Sequence, residues 1–185
     1  MLKDVLDEAV ARVRRAIEAK NPDLADKDTV AEAVGVGAVI FNDLKRQRTK
    51  DVDFDWNSVL SFEGETGPYV QYAHVRLCSI LRKYGKPVSD TADFALLTEP
   101  EEFDLAKALA GFNSVLRRAA ESCEPCVVAQ YLLDLCSRFS SYYHKHVVVG
   151  DDPERTAARI ALVDALRRTI ANGLRLLGIR APEEM

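Results

Sequence analysis

No apolar run in this 185-residue chain approaches the roughly 20 residues needed to cross a bilayer. Charges interrupt the N-terminal segment where a signal peptide would be continuously apolar, so a cytoplasmic protein without a membrane partner is expected. Four cysteines, Cys78, Cys123, Cys126 and Cys136, are too few for a disulfide scaffold at this length, and reduced, mostly buried thiols are expected. Positive charge is not in excess either: 25 basic against 29 acidic side chains leave a formal charge of -4, so any contact with RNA must be local. With only three histidines and no Ser or Cys beside a credible His and orienting acid, no residue is assigned a catalytic role.

What the chain has in quantity is apolar residues at steps of three and four. Leu2, Leu6, Val10, Val13 and Ile17 form one such stripe, and Val70, Ala73, Leu77, Ile80 and Tyr84 another. Leu105, Leu109, Phe112, Leu116 and Ala119 form a third; Val128, Leu132, Leu135, Phe139 and Tyr142 a fourth; Ile160, Val163, Leu166, Ile170, Leu174 and Leu177 a fifth. The expectation is an all-α helical bundle. Its breaks are expected at Asn21-Pro22-Asp23, at Gly85-Lys86-Pro87 and at Gly150-Asp151-Asp152-Pro153. Only Lys50 to Trp56, KDVDFDW, alternates as a strand does, which allows one edge strand at most. Residues before about 60 carry too few elements to close a core of their own.

Several motifs have a bland reading that outweighs the sharp one. Cys123-Glu124-Pro125-Cys126 with Cys136 lacks a fourth nearby thiol for structural zinc and sits at a helix start, so core packing is expected and no metal site is assigned. Gly35 to Ile40, GVGAVI, opens like a dinucleotide loop but has Ile40 where the third glycine belongs, so close helix packing is expected. Lys45 to Lys50, KRQRTK, suits a solvated helix end, with a phosphate contact as the alternative. Near the end of the fourth stripe, Arg138, Tyr142, Tyr143, His144, Lys145 and His146 offer rings and cations of the kind that stack unpaired bases.

The stretch from Ser61 to Gly85, SFEGETGPYVQYAHVRLCSILRKYG, puts Gly64, Gly67 and Pro68 before a helix crowded with Tyr69, Gln71, Tyr72, His74 and Arg76. The run from Ile40 to Lys83 and the run from Ala161 to Met185, which contains Asp164-Ala165-Leu166-Arg167, closely resemble the C-terminal part of class I arginyl-tRNA synthetases. The four letters DALR are that family's name for its anticodon-binding domain, and the resemblance covers essentially the whole chain.

The resemblance implies a bundle of the class Ia anticodon-binding type at residues 66–185, preceded by a junction at residues 1–65 from the end of the catalytic half. It implies tRNA(Arg) as partner, in a protein expected to be a monomer. ATP, magnesium and arginine would be used by the complete enzyme. The family's HIGH-like and KMSKS-like motifs are matched neither by His74 nor by KRQRTK, so this chain is expected to hold no cofactor and to be inactive alone. Arginine codons share a central guanine, hence arginine anticodons a central cytosine. Tyr69, Gln71, Tyr72, Arg76, Arg138 and Tyr143 are implied as the residues that meet the anticodon. Where some relatives carry an aromatic near Val147, this chain has Val147-Val148-Val149. A free-standing, catalysis-free interaction or regulatory module is the alternative.

Overall fold

Gly35 sets the first helix pair. In the computed structural model, which describes residues 1–51 and 54–185, a Cβ on Gly35 would sit 2.8 Å from the backbone nitrogen of Val10. That glycine lets α2 (Lys27–Leu44) lie directly against α1 (Leu2–Lys20). Val13 and Ile17 of α1 pack with Leu24, Ala31 and Val34 in a small apolar cluster. The pair is also joined to the rest of the chain: Phe41 at the end of α2 is fully buried in the larger core.

The strand expected at Lys50–Trp56 includes residues 52 and 53, which lie outside the described residues. In the rest of that span there is no strand, and the chain is helical wherever it is regular among the described residues. Asp55 instead accepts a hydrogen bond from the Ser58 N–H at 2.8 Å and starts the short helix α3 (Trp56–Val59), a local side-chain cap that competes with extended pairing.

The two glycines after α3 have separate tasks. Gly64 takes a φ of 80°, which L side chains rarely adopt. Gly67 opens α4 (Gly67–Tyr84) so close to α2 that a Cβ would lie 2.9 Å from Phe41 Cβ and 3.0 Å from the Gly37 carbonyl oxygen. Thr66 caps α4 by accepting the Tyr69 N–H at 3.1 Å, and Gly85, with φ 66°, ends it.

The third stripe, read as one helix, is two: α5 (Pro100–Ala110) and α6 (Phe112–Ser122) break at Gly111. Each half packs separately on α7 (Cys126–Lys145), with Phe112 stacked on Tyr131 at 5.3 Å. The last helix, α8 (Pro153–Leu176), is capped by Asp152 and approaches α7 at Gly173, where a Cβ would meet Leu132 at 2.6 Å. Leu77, Leu105, Leu132, Leu135, Phe139 and Leu166 are among the fully buried side chains, so α7 runs through the middle of the bundle. All four cysteines are free; Cys78, Cys126 and Cys136 are buried and Cys123 is exposed.

Candidate nucleic-acid interface

Four residues separate Tyr72 from Arg76 on α4, about one helical turn, so the two side chains stack along one face. The Arg76 guanidinium lies 5.1 Å from the centroid of the Tyr72 ring and 5.1 Å from that of the Tyr143 ring on α7. Arg76 Nη2 donates to the Tyr72 hydroxyl at 3.4 Å, and no carboxylate pairs with this arginine among the described residues. Tyr72, Arg76 and Tyr143 therefore form a ladder bridging α4 and α7. The cation is held by π faces, with donors of the planar guanidinium left over for a ligand.

The ladder is partly open to solvent. Tyr72 is 42% exposed and Tyr143 37%. Phe62 backs Tyr72 edge-on at 6.4 Å, and Phe139 backs Tyr143 at 5.8 Å. Tyr69 sits behind them, half-buried against the core; burial pushes its phenol pKa up, with the Cys136 thiol adding and Arg76 opposing.

A cavity lies on either side. One of about 460 Å³ is lined by Arg12, Lys20, Phe62, Tyr72 and Met185 among others, and is largely apolar. The other, of about 550 Å³, lies between Ile80 and Lys83 of α4, Tyr143 and His146, and Val147 to Val149. Phe62, Met185, Arg12, Lys20 and Lys83 are thus neighbours of the ladder that sequence reasoning missed. Lys83 stands seven residues after Arg76 on the same helix, a spacing that could have found it. Met185 had no such signal, lying more than a hundred residues from Tyr72 along the chain.

Two of the sequence candidates are elsewhere. Gln71 is fully buried, its amide nitrogen donating to the Ala33 carbonyl at 3.0 Å and to the Arg180 carbonyl at 2.8 Å, so it presents nothing to RNA. Arg138 pairs with Asp134 at 2.7 Å, and five helical positions place it about 140° round α7 from Tyr143. It does not join the ladder.

Other cations in the motifs are also engaged. Glu101 of α5 takes the Lys145 ammonium at 2.6 Å and the His146 ring at 3.1 Å, and these hydrogen bonds, with one from backbone, hold its carboxyl down at about 2. Tyr142 is buried. In the Lys45–Lys50 run, Lys45 donates to the Glu65 carbonyl at 2.7 Å, Arg46 to that of Asp51 at 3.2 Å and Arg48 to that of Cys123 at 2.9 Å. These three pin backbone. No group of three or more His, Cys, Asp or Glu side chains capable of holding a metal ion occurs among the described residues.

Comparison with known proteins gives two regions. Residues 70–185 match the model of the DALR anticodon binding domain, and residues 1–56 that of the class I tRNA synthetase (R) catalytic domain. The arginine–tRNA ligase of Pediococcus pentosaceus is 49% identical over 187 residues, covering 100% of this chain and 32% of the relative. That of Ligilactobacillus salivarius is 48% identical with the same coverage. Among solved structures, Thermus thermophilus arginyl-tRNA synthetase superposes with a TM-score of 0.93 at 43% identity, over 99% of this chain and 32% of that one. The Plasmodium falciparum enzyme gives 0.88 at 27% identity, over 100% and 33%. The chain spans about a third of the length of the curated relatives it matches.

Proposed function

The chain belongs to the DALR anticodon-binding domain family and corresponds to the C-terminal part of arginyl-tRNA synthetases, and from that membership we propose that it grips the anticodon region of tRNA(Arg). The observation that carries this reading is the Tyr72–Arg76–Tyr143 ladder, a partly exposed stack of rings around an arginine without a carboxylate partner. An unpaired anticodon base stacks on an exposed tyrosine face, and the planar Arg76 fork donates to the acceptors on its edge. A central cytosine offers two such acceptors, its ring nitrogen and its carbonyl oxygen. Lys83, which lines the second cavity, meets a phosphate.

In this reading the chain works in the cytoplasm, one copy per tRNA, during ATP-dependent arginylation. ATP, magnesium and arginine belong to the part of the longer relatives that the chain does not span. No helix among the described residues is long and apolar enough to cross a membrane.

The test is titration with an arginine anticodon stem-loop. Tyr143→Ala should lose about 1 to 3 kcal/mol, the usual size of a lost base-stacking contact. Lys83→Ala should weaken all stem-loops alike and lower the slope of log affinity against log salt by about one unit. Arg76→Lys should lose binding even though its charge is kept, because the ammonium cannot stack or fork. Variants that all titrate like the unsubstituted chain would move the reading to the free-standing interaction module.

A further inference from the structure

The inward face of α4 carries two polar side chains that the RNA face does not use. Gln71 is fully buried and His74 is 2% exposed, three residues apart on one side of the helix. Both reach the same distant segment. The Gln71 amide donates to the Arg180 carbonyl at 2.8 Å, and His74 Nδ1 donates to the Pro182 carbonyl at 2.8 Å. The same Gln71 nitrogen also donates to Ala33 of α2 at 3.0 Å.

Stability alone is a poor explanation for this pair. Gln71 Oε1 is buried with no partner among the described residues, a desolvation cost that an apolar side chain of the same shape would avoid. Space has also been cleared for the amide. A Cβ on Gly37 would lie 3.0 Å from Gln71 Nε2 and 2.9 Å from Ile179 Cγ2, so a glycine stands where any other residue would push the amide and the tail apart. Elsewhere the tail is held by weaker means: surface ion pairs from Arg180 to Glu32 at 2.7 Å and from Arg82 to Glu184, and a long hydrogen bond from Asn21 to the Met185 carbonyl at 3.4 Å. Exposed pairs of this kind contribute little. Ala181 and Met185 add apolar contacts, and the two hydrogen bonds from Gln71 and His74 are the buried polar ones that give the tail its direction.

The tail ends in the cavity beside the ladder. Met185 packs against the Val13–Ile17 cluster and lines the same cavity as Phe62 and Tyr72. We propose that Gln71 and His74 are positioning residues that latch residues 180–185 onto α4, so that the tail forms one wall of the RNA groove next to Tyr72. This rests on the RNA-binding reading for its function, while the latch itself is a separate matter of geometry. Without the latch the tail samples other positions, and the groove is complete only part of the time. Apparent affinity then falls in proportion to that fraction, so a wall in place a tenth of the time lowers affinity about tenfold.

The chain contains only two methionines, Met1 and Met185, and Met1 is 98% exposed. Methyl-13C methionine labelling of the full chain therefore gives one free-solution signal and one that reports the tail beside Phe62 and Tyr72. The Met185 signal should be ring-shifted in the unsubstituted chain, move toward the Met1 position in His74→Leu, and return in His74→Asn, whose amide can donate from near the Nδ1 position. Stem-loop affinity should follow the same order. A chain ending at Ala181, which leaves the larger core intact, should lose about as much affinity as His74→Leu, and the two changes combined should lose no more than either. That non-additivity is what a purely structural role would not give.

Unchanged affinity in both the shortened chain and His74→Leu would overturn the proposal, as would a Met185 signal indifferent to His74→Leu. If the unsubstituted chain binds no stem-loop, the RNA reading fails by itself, and the methyl signals alone decide whether the latch exists.

Discussion

At His74, burial of an imidazole sets the sign of the response to acid. Burial lowers its pKa and Arg167 adds to that; the hydrogen bond to Pro182 and the charge of Glu183 oppose, and the Cys78 thiol lies 3.8 Å from the ring. The folded chain thus takes up this proton less readily than the unfolded chain, so the stability that neutral His74 contributes is full above about pH 6.5 and erodes as pH falls below it. Melting temperatures between pH 7.5 and 5 should fall faster for the unsubstituted chain than for His74→Asn, and parallel curves would contradict this. The Glu101 carboxyl, held at about 2, titrates in a lower window and leaves this one clear. Gln71 was the residue most easily misread, because it stands between Tyr69 and Tyr72 in the sequence. One helical step of about 100° turns it inward, and its partner carbonyl lies 109 residues away, beyond any local pattern. The four-residue step from Tyr72 to Arg76 made their shared face legible, whereas the arrival of Tyr143 from α7 beside them needed the fold.

Helix seams hold the second kind of sensitivity. A Cβ on Gly35 would meet α1 backbone atoms, at 2.8 Å from Val10 N, rather than a side chain that can rotate away. Gly35→Ala should therefore cost about 1 to 3 kcal/mol, read from the denaturant midpoint at unchanged slope, as α1 and α2 are forced apart. Gly150→Ala, with nothing within 4 Å of the added carbon, should stay within about 0.5 kcal/mol. Equal midpoints for the two variants would contradict the close packing. The bounds of α1, α4, α7 and α8 were legible from stripes, prolines and glycines, since those signals are local. The third stripe ran unbroken through Gly111 because α5 and α6 both lay their apolar side on α7, so periodicity alone could not reveal the break. The alternation before Trp56 allowed one strand at most, and Asp55 there caps the short helix α3.

The whole molecule is a small helix pair fastened to a larger bundle, and one of the fastenings, Gln71, adjoins Tyr72 of the ladder in sequence. Gly67 brings α4 onto α2, Gln71 ties α4 to Ala33, Arg48 reaches the Cys123 carbonyl, and Gln130 of α7 donates to the Lys45 carbonyl at 3.3 Å. A chain with net charge -4 has no general attraction for RNA, so the proposed reading rests on a local face. The claim that the ladder reads an anticodon base is tested most directly by titrating the chain with an arginine anticodon stem-loop and with the same hairpin carrying a central uracil, whose ring N–H stands where cytosine has an acceptor. The account predicts weaker binding to the substituted hairpin by about 1 to 3 kcal/mol, the cost of leaving one Arg76 donor facing an N–H in place of its acceptor. It also predicts that Arg76→Ala abolishes the difference. Identical titration curves for the two hairpins would contradict it.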